Sequence, residues 1–76
     1  MDMRKLVGAN VARVRRERGL TQEALAVLSG LSQQYLSGLE RGQRNPTIVT
    51  LYELACALGV NHLELLTPPS PDDRGL

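Results

Sequence analysis

Residues 19–47 read GLTQEALAVLSGLSQQYLSGLERGQRNPT, and the punctuation of this stretch decides the fold. Gly19, Gly30 and Gly42 are spaced to leave room for two short helices. The residue just past a helix end often takes a positive φ, which glycine adopts without steric cost. Thr21 and Ser32 each follow a glycine by two positions. Their hydroxyls suit the capping position, where a side-chain oxygen satisfies orphan amides of a new helix. Between these marks the apolar residues keep a helical period. Leu25, Ala26 and Leu28 lie over about 21–29, and Leu36 and Leu39 over about 32–40.

The same two signals extend outward. Asn45 is a capping candidate with Pro46 at the first helical position, where its missing amide is harmless. Gly59 ends that helix, and Asn61 with Glu64 three residues on resembles a capping box. A first helix over about 3–18 aligns Val7, Val11 and Val14. A fourth, about 46–58, repeats Ile48, Leu51, Leu54, Ala55 and Leu58, and a fifth, about 61–66, adds Leu63 and Leu66. No segment alternates as a strand does. The expectation is all-α: one five-helix domain over residues 1–66. Residues 67–76, TPPSPDDRGL, hold three prolines and little apolar surface, and are expected to be a mobile tail.

Composition removes several classes of function. With one cysteine, Cys56, and one histidine, His62, an internal disulfide framework and an ordinary Cys/His zinc site are excluded. No metal and no cofactor is expected. At 42% apolar and 22% charged the chain is of ordinary globular make-up. It has no membrane-length apolar run and no signal-peptide core, so the cytoplasm is the default location. Seventy-six residues leave little room for a catalytic cavity. A nucleophile–base set and a glycine-rich phosphate loop are both missing, so no enzyme is expected. Tyr35 and Tyr52 are the only aromatics, which disfavours stacking on splayed single-stranded bases. The charge is uneven: residues 1–46 carry eight basic and four acidic side chains, net +4, whereas residues 47–76 carry one and four, net −3. A basic half suits a polyanionic partner.

The second and third helices, joined through Ser29-Gly30-Leu31, form a helix-turn-helix signature, whose second helix enters the DNA major groove. Ala26 supplies the small residue needed at the close crossing, and Leu36 and Leu39 the inner side of the third helix. Gly-Leu-Thr-Gln-Glu, Leu-Ala, Ser-Gly-Leu-Ser, Leu-Glu-Arg-Gly and Pro-Thr follow one another in order. In these motifs the chain resembles the phage repressor and Cro-like helix-turn-helix regulators, the xenobiotic-response-element type, over residues 6–66. The resemblance implies a five-helix, lambda-repressor-like domain that binds duplex DNA, usually as a symmetric dimer. It further implies that Arg15 pairs with Glu40 and so holds the recognition helix in place, and that Gln22 bonds a phosphate.

With Leu36 and Leu39 inward, helical geometry turns Gln33, Gln34, Ser37 and Gly38 outward as candidates for base reading. Glutamine bonds bidentately to adenine N6 and N7. Ser32 caps the helix and is a further contact candidate. Gly38 either brings the backbone close to DNA or leaves one base contact missing. Phosphate candidates are Gln22, Thr21, Arg41, Arg44 and Tyr35, the last with packing of its ring as the alternative. Val49, Tyr52 and Cys56 form a second apolar side on the fourth helix, and with Leu65 they mark a candidate homodimer interface. A two-fold axis there would set two recognition helices about 34 Å apart on a palindromic operator. The function this supports is a small dimeric transcriptional regulator, a repressor or a restriction–modification controller. The alternative is an antitoxin-like module that holds a partner protein and autoregulates.

Overall fold

Asp2 opens the first helix by accepting hydrogen bonds from the amides of Arg4 and Lys5, and α1 runs Met3–Glu17. The structure, a computed structural model, describes residues 1–68. Four further helices follow: α2 (Gln22–Ser29), α3 (Gln33–Glu40), α4 (Ile48–Leu58) and α5 (His62–Leu66). Among the described residues the fold is entirely helical. Thr21 and Ser32 cap α2 and α3 by accepting from the amides of Ala24 and Tyr35 at 3.0 Å each. Asn61 caps α5 through the Leu63 amide at 2.8 Å. Gly30, closing α2, has φ 76 and donates to Ala26 O, which turns the chain into α3 within three residues.

One cap differs from expectation. Thr47, not Asn45, caps α4, its hydroxyl accepting from the Thr50 amide at 3.1 Å. Asn45 and Pro46 lie in the connection ahead of it, so the helix starts two residues later than the Asn-Pro pair suggests.

Leu25, Leu36, Leu39, Leu54, Leu58, Leu65, Val11 and Val14 form the innermost layer, with Val7, Ala26, Leu51 and Ala55 around them. In α4 the buried set Leu51, Leu54, Ala55 and Leu58 follows the i, i+3, i+4, i+7 stripe of a helix with one inward face. α1 packs against α3 and α5, and α2 against α3 and α4. Three residues assigned to the core by periodicity are outside it: Leu28, Leu63 and, at 85% exposed, Ile48. Leu65, assigned to a dimer surface, is 0% exposed and belongs to the core instead. The phase of α5 is thus rotated: Leu65 points in and Leu63 points out.

Two features of α1 hold the domain together. Asn10 is buried, and its side-chain amide donates to Leu65 O and Thr67 O at 3.0 Å each. The amide thereby satisfies carbonyls at the end of α5 that the helix cannot pair itself. Thr67, whose hydroxyl also donates to Leu63 O, is held in the domain rather than starting a tail. The rest of that expected tail, from residue 69 on, lies outside the described residues. Gly8 lies against the end of α3, where a Cβ would collide with Leu39 O and come within 3.0 Å of Glu40 O. The two backbones approach because position 8 has no side chain.

Candidate nucleic-acid interface

The C-terminal end of α3 is anchored to α1. Arg15 reaches across from α1 and grips Glu40 with two bonds, Nε to Oε2 at 2.7 Å and Nη2 to Oε1 at 3.0 Å. Its Nη1 donates to Leu20 O at 2.8 Å, so one guanidinium ties α1 to both the α1–α2 connection and α3. The two side chains are 11% and 6% exposed, which shields the pair from solvent screening. Burial works to raise the Glu40 carboxyl, but hydrogen bonds from Arg15 and Gln22 and the charges of Arg15 and Arg16 outweigh it, and the pKa lies below the usual carboxylate value. The hydrogen bond to Glu40 in turn raises Arg15, against the opposing effect of its burial.

Gln22 is the third member of this cluster. Its amide nitrogen donates to Glu40 Oε1 at 3.0 Å. A residue with one intramolecular bond still has a second amide hydrogen and a carbonyl oxygen to offer. The bond to Glu40 points the Gln22 side chain toward α3, and Gln22, Gln33, Gln34 and Ser37 line one shallow depression of about 280 Å³. Gln33, Gln34 and Ser32 are exposed, and Ser32 has its hydroxyl oxygen engaged in the cap. Thr21 is exposed and its hydroxyl likewise accepts from an amide.

The end of α3 is organised by its arginines. Arg41 folds back along the helix, its Nη1 donating to Ser37 Oγ at 2.6 Å and its Nε and Nη2 to Gln43 Oε1 at 3.4 and 3.3 Å. Arg44 lies with Cζ 5.7 Å from the centroid of the half-buried Tyr35 ring, a cation–π distance. Gly38, expected to face outward, is buried. The Arg44 side chain covers it, with Nε 3.0 Å from where a Cβ would stand. The outward position one turn beyond Gln34 is therefore occupied by an arginine from the following loop. Sequence reasoning missed this stack, because nothing in the spacing of Tyr35, Gly38 and Arg44 shows that the chain reverses after Gly42.

A cluster of exposed apolar residues lies on α4 and α5. Ile48, Val49 at 68% exposed and Tyr52 at 57% line a groove of about 510 Å³ with His62, Leu63 and Leu66. Cys56 is exposed but lies around the helix, in a second depression beside Leu28 and Ser29 to which Tyr52 also contributes. The candidate interface residues Val49, Tyr52 and Cys56 thus divide between two neighbouring surfaces, and Leu65 belongs to neither. No helix among the described residues is long and apolar enough to cross a membrane.

Known helix-turn-helix proteins share this five-helix fold. A family profile described as helix-turn-helix matches residues 11–65. The chain is 74% identical over 68 residues to an uncharacterized HTH-type transcriptional regulator, y4dJ, of Sinorhizobium fredii, covering 90% of this chain and 88% of the relative. It is 42% identical over 67 residues to the control protein C.SmaI of Serratia marcescens, covering 88% and 80% respectively. Among solved structures, the restriction-modification controller protein C.AhdI of Aeromonas hydrophila superposes with a TM-score of 0.79 at 44% identity, covering 82% of this chain and 94% of that one. On the extent of these matches, the chain belongs to the helix-turn-helix family of DNA-binding transcriptional regulators.

Proposed function

We propose that this chain binds a palindromic duplex operator as a homodimer, with the exposed side of α3 in the major groove and no catalytic step of its own. Gln33, Gln34 and Ser37 are the base-reading residues, with Ser32 at the helix start. Gln22, Thr21, Tyr35, Arg41 and Arg44 meet the phosphates on either side. The observation that carries the reading is the shared depression of Gln22, Gln33, Gln34 and Ser37 on a helix whose C-terminal end is locked to α1 by the Arg15–Glu40 pair. Base readout needs side chains placed within hydrogen-bond tolerance, and a rigidly anchored helix supplies that placement.

The homodimer reading is supported by the groove of Ile48, Val49, Tyr52 and Leu63, because a small monomer gains nothing from exposing so much apolar surface on two adjoining helices. Selection of bound fragments from a random duplex pool, with native mass measurement of the complex, tests operator and stoichiometry together. The expected outcome is an inverted repeat bound by an even number of chains. Recovery of no preferred sequence, or of a lone half-site holding one chain, overturns the reading. Arg44→Ala should weaken binding to every duplex and reduce the slope of log affinity against log salt by about 0.9.

A further inference from the structure

We infer that Gly38 is a positioning residue: its missing side chain leaves the slot in which Arg44 lies, and so fixes one cation of the DNA-facing surface. The inference rests on α3 being the helix that meets DNA. A Cβ at position 38 would stand 3.0 Å from Arg44 Nε and 3.3 Å from its Cγ, tighter than an ordinary contact. Farther along the same side chain, Cζ is 5.7 Å from the Tyr35 ring centroid. Tyr35 and Gly38 are three residues apart and neighbour each other on the helix surface, one supplying an aromatic wall and the other a bare backbone.

The backbone explains how a residue six positions later reaches this slot. Gly42 has φ 77 and donates to Leu39 O at 2.9 Å, while the Gln43 amide donates to Gly38 O at 2.9 Å. These two bonds form a Schellman reversal, which turns the chain back over the last turn of α3. Gly38 therefore serves twice: its carbonyl closes the reversal and its empty side admits the arginine that returns. A surface arginine gives up most of its rotamer freedom when a ligand captures it, whereas one already laid across backbone and ring has less to lose. Glycine is the poorest ordinary residue for a helix interior, so keeping it here sets helix propensity against the placement of Arg44.

The two effects point in opposite directions, which makes the inference testable. Gly38→Ala favours helix formation yet displaces Arg44, so the melting temperature should hold or rise while affinity for the selected duplex falls about five- to tenfold. In an Arg44→Ala background the same substitution should change affinity little, since the slot is then empty. The ring-current shift of the Arg44 δ protons, seen by NMR without DNA, should diminish in Gly38→Ala and disappear in Tyr35→Leu. Equal losses of affinity in both backgrounds would mean that the added methyl meets DNA itself, and would overturn the inference. So would an unchanged ring-current shift in Gly38→Ala. If the unmodified chain selects no duplex, the DNA reading fails by itself, and the NMR arm still decides whether Gly38 sets the arginine.

Discussion

Two seams of this molecule involve exposed helices, and they are finished in opposite ways. Where α1 meets α3, a bare Gly8 lets the backbones touch and Arg15 grips Glu40 with both oxygens engaged. Where α4 meets α5, Ile48, Val49, Tyr52 and Leu63 are left facing solvent around an open groove. The first seam is satisfied within one chain. The second, on the proposed reading, is completed only by another copy. A helix that must place side chains against bases needs the first kind of support, and a helix that sets the spacing between two such readers needs the second.

The largest loss is expected where the α1–α3 seam is cut. Arg15→Ala leaves Glu40 charged and largely buried, and should lower unfolding free energy by about 3 kcal/mol in chemical denaturation, as removing one partner of a buried pair does. A loss of a few tenths would put this pair with ordinary surface ion pairs. Gly8→Ala should cost about 2 kcal/mol, because the new methyl meets backbone oxygens that cannot step aside without parting the helices. A neutral result would mean that the α1–α3 crossing tolerates a wider gap.

Acid sharpens the same contrast. The Glu40 carboxyl is held below its ordinary value near 4.5, so the stability it contributes is present above that value. It is lost as pH falls through 4.5 toward the lower folded-state value. Stability measured against pH should therefore decline faster in the unmodified protein than in Glu40→Gln over that window, and parallel curves would remove Glu40 from the account.

At the other seam, a double change of Ile48→Ser and Val49→Ser should alter the stability of one chain by no more than about 0.5 kcal/mol, since both side chains are exposed. It should nevertheless abolish the rise of melting temperature with protein concentration expected of a dimer. A concentration dependence that survives would place the interface elsewhere. At the reading face the expected effect is on selectivity rather than stability. Gln34→Ala should relax preference at one operator position, by about 1–3 kcal/mol of discrimination, with random-sequence binding nearly unchanged.

How much of this was legible in the sequence follows from the length and polarity of each element. The glycines and hydroxyl caps located the turns because positive φ and orphan amides are local demands: Gly19, Gly30, Gly42 and Gly59 all take φ near 70 to 77. The inward face of α3 was readable because Leu36 and Leu39 are its only large aliphatic residues. In α4 nearly every side is apolar, so Ile48 was indistinguishable from the buried stripe until its neighbours were placed. With five residues, α5 has too few turns for a period to separate Leu63 from Leu65. Gly8 carried an unused signal: it lies seven residues before Arg15 on the same side of α1, the side that faces α3. The Arg44 slot had none, because it depends on a chain reversal rather than on a repeat.

The buried amide of Asn10 has a consequence for how the chain is born. Its two acceptors, Leu65 O and Thr67 O, are separated from it by 55 and 57 residues. During synthesis the first helix emerges long before either carbonyl exists, and until then that amide must stay wet. The native arrangement of α1 is therefore sealed only once Thr67 has left the ribosome, which makes the final locking of this domain a late event rather than a progressive one.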